Sequence, residues 1–203
     1  MIPDLRLSSR LSELFPVEQQ TQAADVERSI EDRINYPAQR FTITCTSTTR
    51  PTNARVGDLI YETDTKFYMT YTGSYWISLS PRGAFIDALE ATASTTYVDL
   101  TTPGPAVTVQ TGPRALVLLS AHGTQSINPG NNFMAFALSG ATTLAASDDK
   151  CALETIVGST GGLSASVYVD SLTPGANTFT AKYRVNAGTG SFLRRNLIVV
   201  PLA

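Results

Sequence analysis

The sequence predicts a mainly β protein: an N-terminal helical segment, a small antiparallel β meander and a C-terminal jelly-roll-like β-sandwich. Three observations point there. Short runs rich in Val, Ile, Thr, Tyr and Phe recur through the last 120 or so residues, separated by Gly/Pro/Asn turns. Charged residues make up only 16% of the chain, against a usual level of about 25%, and Thr, Ser, Ala and Gly take their place. Helical spacing of apolar residues is confined to the first 37 residues.

In residues 1–37, Leu7, Leu11 and Leu14 follow helical spacing, with Ser8 positioned to cap a short helix. Pro16 fits the first turn of a second helix. Ala23, Val26, Ile30 and Ile34 then step by three, four and four, a narrow apolar stripe on a polar helix. Asn35-Tyr36-Pro37 ends it, since a residue before proline avoids the α region. A narrow stripe suits a seam between subunits or docking onto a larger assembly. It also suits one amphipathic helix lying on its own domain. The seven residues Leu7, Leu11, Leu14, Ala23, Val26, Ile30 and Ile34 are the expected attachment or oligomerisation surface.

Residues 38–82 hold a strand-like alternation at 41–46, a loop at 48–54, and β runs at 59–62, 67–71 and 75–79. Tyr61, Phe67, Tyr68, Tyr71, Tyr75 and Trp76 crowd this unit. So small a unit needs large rings for its core. Exposed faces of Trp76 and Tyr75 would alternatively serve as a glycan contact.

Residues 83–203 read as strands at 84–89, 97–100, 106–110, 114–120, 132–139, 151–157, 163–169, 177–185 and 191–201. A turn is expected at 158–162. The runs Ala115-Leu116-Val117-Leu118-Leu119 and Leu197-Ile198-Val199-Val200 are continuously apolar. Strands of that kind are covered on both faces, and in a small sandwich the second cover is a neighbouring subunit.

Little in the sequence suggests chemistry. His122 is the only histidine and forms no local triad, so a strand-end or subunit-contact role is expected. Asp148-Asp149, Asp99, Glu154 and Asp170 show no glycosidase-like pairing and read as solvated turn residues. Asp64 and Asp148-Asp149 lack the dense oxygen series of a calcium loop. With no Cys-x-x-Cys, no metal or other cofactor is expected. Cys45 and Cys151 lie far apart in sequence and read as reduced, buried thiols. The formal net charge of −2 gives no field to draw nucleic acid. No run approaches a membrane span, and the N-terminus does not read as a signal peptide.

Thr49-Arg50-Pro51, Gly57-Asp58-Leu59-Ile60-Tyr61-Glu62-Thr63-Asp64-Thr65 and Tyr71-Thr72-Gly73-Ser74-Tyr75-Trp76 resemble a short module common in fibres and minor tail proteins of tailed bacteriophages. The run from Ser171-Leu172-Thr173-Pro174-Gly175 through Phe179-Thr180-Ala181-Lys182-Tyr183, with Arg195-Asn196-Leu197-Ile198-Val199-Val200, is similar to the C-terminal sandwich of phage fibre and head-fibre proteins. The resemblance implies a homotrimer on the virion, made in the host cytoplasm and bound to other proteins of tail, neck or capsid. No extended repeat or shaft is present, which favours a short spike, collar fibre or decoration. Contact with a host surface glycan would follow from that role. A carbohydrate-binding recognition module is the second reading, and a host-envelope hydrolase the third.

Overall fold

The computed structural model describes residues 43–127, 129–154 and 161–202. The expected N-terminal helices, with Leu7, Leu11, Leu14, Ala23, Val26, Ile30 and Ile34, lie outside the described residues.

The first sheet comprises β1 (Ile43–Cys45), β2 (Leu59–Glu62), β3 (Tyr68–Tyr71) and β4 (Trp76–Ser78), in that order. Strands β2 to β4 form the expected antiparallel meander, but β1 joins β2 in parallel. The sheet is therefore mixed. The connection 46–58 is long enough for the crossover that a parallel pair requires. Ile60, Phe67, Met69 and Trp76 form its core, with Tyr71 packed against them. Glu62 is fully buried there and is held by Arg50 and by the Thr65 hydroxyl at 2.6 Å.

The remaining strands are β5 (Arg82–Ile86), β6 (Glu90–Thr92), β7 (Ala106–Thr111), β8 (Arg114–Gln125), β9 (Asn132–Gly140), β10 (Cys151–Glu154), β11 (Gly161–Val169), β12 (Gly175–Val185) and β13 (Gly190–Leu202). One sheet runs β10-β9-β12-β7 and the other β11-β8-β13-β5, with β6 also pairing β13. All these pairings are antiparallel. With β5 and β6 counted together as the first strand, the eight strands follow the jelly-roll order: first beside last in one sheet, second beside seventh in the other. That order identifies the fold.

Four assignments differ from the sequence reading. Residues 97–100 make only an isolated bridge, Val98 to Tyr183, because within them Val98 alone pairs its backbone with β12 as the chain passes between sheets. Strand β6 was not foreseen: Glu90-Ala91-Thr92 carries no apolar alternation. Strand β8 runs five residues past Ser120, since inward Ala121, Gly123 and Gln125 alternate with outward His122 and Thr124. Gly161 and Gly162 belong to β11 and not to a turn.

The core lies between the two sheets. Phe136 and Phe179 pack at 5.7 Å between ring centroids, and Tyr183 meets Phe192 of the opposite sheet at 4.8 Å. Strand β13 is central to this arrangement, because it contacts β5, β6 and β8. A β-bulge interrupts its pairing with β8 between Leu193 and Asn196, where Arg194 takes a positive φ of 52°. The bulge shifts the inward–outward parity. Gly190 and Phe192 point inward before it; Arg195, Leu197, Val199 and Pro201 point inward after it.

Arg195 is thus carried into the interior, with no solvent exposure. Its Nη1 donates to Thr102 O at 3.1 Å, and Nη2 stands 3.2 Å from Glu90 Oε2 as an ion pair. The guanidinium also lies 5.5 Å from the Tyr183 ring centroid. Glu90 in turn accepts from the Thr102 hydroxyl at 2.6 Å and from its backbone N–H at 3.0 Å. The Thr102 hydroxyl first, and Arg195 with it, hold the Glu90 carboxyl below its ordinary range.

Two outcomes follow for stability. Arg195→Ala strands Glu90 without its cation and should lower unfolding free energy by about 3–5 kcal/mol, read from denaturant midpoints. Because folding depresses the Glu90 pKa, its stabilisation is complete above the unfolded value of about 4.3 and is lost as pH falls through the folded value. Melting temperature should therefore drop between pH 5 and acid, by less in Glu90→Gln than in the parent protein.

Candidate functional site

The two outer faces of the jelly roll differ in chemistry. On the β11-β8-β13-β5 sheet, register places Gly83, Ile198, Leu118 and Ser166 in one row. Phe85, Asn196, Ser120 and Ser164 form the next row, and Val200, Leu116 and Tyr168 another. None of these eleven side chains is charged. Leu116, Leu118, Ile198 and Val200 are half-buried at the centre. Phe85 is 59% exposed and Tyr168 55% exposed on the flanks. The apolar runs at 115–119 and 197–200 thus bury alternate residues in the core and present the others on one contiguous outer patch. His122 is exposed on β8, one row beyond Ser120, opposite Leu193 and Gly162.

The face of the β10-β9-β12-β7 sheet is polar and carries a cleft of about 560 Å³. Its two walls are built by segments that fold back on the sheet. On one side, Val98 bridges Tyr183, and Ser94 O accepts from Val185 N–H at 2.8 Å. This lays Thr95, Thr96 and Tyr97 beside β12. On the other side, the chain leaves β9 at Gly140, whose φ of +98° suits glycine. Leu144 then bridges back to Leu138. Buried Asn177 fixes that return: its Oδ1 accepts from Thr142 N–H at 2.7 Å, and its Nδ2 donates to Thr173 O at 2.9 Å. Ala145, Ala146 and Ser147 are thereby placed on the cleft wall, with Ala137 also lining it.

Asp148 closes one end. Its Oδ1 accepts from the Tyr97 hydroxyl and from Arg184 Nε, each at 2.9 Å, while Arg184 Nη2 bonds Oδ2. Arg184 stacks on Phe133, 3.6 Å from the ring centroid. Arg184 holds the Asp148 carboxyl below the usual carboxylate range, with Tyr97 adding to the effect. Burial, and then the Asp148 hydrogen bond, pushes the Tyr97 phenol up, so it remains a neutral donor. Lys182 Nζ bonds Asp99 Oδ2 at 2.6 Å. The Ser147 hydroxyl is buried without a hydrogen-bond partner and makes no capping bond to the short 3-10 turn that follows. An unmet hydroxyl of this kind costs about 1–3 kcal/mol.

Asp148 and Asp99, read from sequence as solvated turn residues, are therefore ion-paired in or beside this cleft. Their partners lie 36 and 83 positions away, so no local pattern marks them. Trp76 is buried in the meander core against Tyr71, at 5.1 Å between ring centroids, and Tyr75 is half-buried. The Trp76 ring is thus taken up by core packing and does not supply the exposed face that glycan stacking would use. Burial raises the pKa of both Cys45 and Cys151, so each sits as a thiol. Among the described residues, no three acidic, histidine or cysteine side chains cluster as a metal site, and no helix is long and apolar enough to cross a membrane.

No family model matches the sequence, and comparison with curated proteins gives no match. Among solved structures, the Eiger TNF of S. frugiperda aligns with 13% identity and a TM-score of 0.43, over 61% of this chain and 92% of that one. The VP2 subviral particle of infectious bursal disease virus aligns with 14% identity and a TM-score of 0.45, over 75% of this chain and 41% of that one. A C-terminal CBM6 of LamC from Zobellia galactanivorans aligns with 8% identity and a TM-score of 0.30, over 57% of this chain and 98% of that one. The assignment to the jelly-roll class rests on strand order and not on these likenesses.

Proposed function

We propose that this chain is a non-enzymatic structural protein of a virus particle: a short trimeric fibre or spike of a tailed phage. Its N-terminal segment joins it to tail, neck or capsid, and its jelly roll faces solvent and serves attachment. The observation that carries the reading is the uncharged apolar face of the β11-β8-β13-β5 sheet. A face centred on Leu116, Leu118, Ile198 and Val200, with Phe85 and Tyr168 beside it, has the character of a subunit contact. It is compatible with a second copy of itself, because its three rows bring no like charges together. The phage-like sequence of 57–65 and 71–76 supplies the virion assignment and the three-fold symmetry. The fold adds general support only, since jelly rolls occur in viral capsids and in lectins alike.

Light scattering on the full-length protein tests the assembly. The expected mass is three times 21.7 kDa, about 65 kDa. Leu118→Lys and Ile198→Lys each place an unpaired charge in the contact and should weaken association at least about a hundredfold. Circular dichroism should stay unchanged, because both side chains lie outside the core. A trimer that survives both substitutions would remove this face from the contact. A wild-type monomer at micromolar concentration would sink the autonomous trimeric spike. Removal of residues 1–36 should leave the trimer intact if the sheet carries assembly, and dissociate it if the helices do.

A further inference from the structure

We propose that the cleft between Tyr97 and Ser147 on the β10-β9-β12-β7 face is a binding site for a neutral saccharide. The inference rests on the reading of the jelly roll as the exposed head of an attachment protein, and it names the ligand class that head would hold.

The volume comes first. A cleft of about 560 Å³ lies within the range of about 300–1,000 Å³ usual for small-molecule sites. The room comes from Ala137, Ala145 and Ala146, whose small side chains leave the wall recessed.

Charge then narrows the class. Both cations at the cleft already have carboxylate partners: Arg184 has Asp148 and Lys182 has Asp99. An anionic ligand would have to displace a carboxylate, and a cationic ligand would have to displace an arginine or a lysine. A neutral ligand displaces neither.

The hydrogen-bonding groups left over match hydroxyls. Lys182 has three N–H donors and spends one on Asp99. The Asp148 side chain lines the cleft and is 55% exposed, so an acceptor position on it remains open to a ligand. Donors and acceptors fixed side by side suit vicinal hydroxyls, each of which also donates and accepts. The half-buried Tyr97 ring offers an apolar surface to the C–H face of a sugar, and Asp148 holds it in place through the phenol.

The test uses full-length protein and saturation-transfer difference NMR with maltotriose, cellotriose, triacetylchitotriose and mannotriose as probes. At least one should bind in the millimolar range, and neither inorganic phosphate nor sulfate should compete. Ala145→Trp fills the cleft from an exposed position and should abolish the signal while leaving the melting temperature unchanged. Four silent probes, a signal that persists in folded Ala145→Trp, or competition by phosphate or sulfate would each overturn the proposal. Light scattering on the same samples separates the two readings. A trimer that binds no probe sinks the cleft alone, and a monomer that binds sinks the sheet contact alone.

Discussion

The parity shift at Arg194-Arg195 is the constraint on which the sandwich depends. Strand β13 pairs with β5, β6 and β8, so its register decides which residues of that sheet face the core. The inward residues of its first part, Gly190 and Phe192, are even-numbered; those of its second part, Leu197 and Val199, are odd-numbered. Without one extra residue between them, one of the two sets would face solvent. The bulge reconciles them and brings a cation into the interior as a consequence. Glu90 and Thr102 answer that cation, and in doing so tie β6 and the crossing at 101–105 to the same strand. A buried ion pair is a poor source of net stability, because desolvation offsets much of the attraction. Its contribution here is positional: it joins three separate segments of the chain at one point.

That register also produces the outer faces. On β13 the residues left outside after the bulge are Asn196, Ile198 and Val200, which lie opposite Ser120, Leu118 and Leu116. A one-residue slip would have turned Leu197 and Val199 outward in their place. The apolar patch is therefore built by the same parity that builds the core. The opposite sheet, whose outward positions on β12 include Lys182 and Arg184, acquires charge pairs and a cleft. The two faces of one sandwich are thus unlike in chemistry although each is flat sheet.

Much of the fold was legible in the sequence because strand alternation and turn residues are local signals. Strands β7 and β12 carry a period of two, and β8, β9 and β13 stand out as apolar runs between Gly/Pro/Asn breaks. Strand β6 was hidden because three residues without apolar alternation hold their place through Glu90 and its distant partner Arg195. Among the described residues, the continuous apolar runs at 115–119 and 197–200 send alternate side chains into the core and leave the others half-buried on the outer face. The aromatic density around Trp76 was legible as core, and the structure uses it so. The cleft was not legible: Tyr97, Asp148 and Arg184 meet only because three separate segments pack on one sheet. Asp148 next to Asp149 and Lys150 looks like an ordinary solvated turn until Arg184 arrives from 36 residues away.

The two proposed surfaces are complementary in placement. They occupy opposite faces of the sandwich, whose two sheets stand about 10 Å apart. Copies that meet through the β11-β8-β13-β5 face turn the β10-β9-β12-β7 face away from the symmetry axis. Every cleft in the assembly then points outward, and no subunit covers the site of its neighbour. A shallow cleft with a few hydrogen bonds binds one saccharide weakly. In the proposed trimer, three such clefts would raise the effective concentration of the second and third contacts on a surface that repeats the ligand. In that proposed arrangement the apolar face would contribute to attachment without touching the ligand, because it would fix how many clefts meet the surface at once.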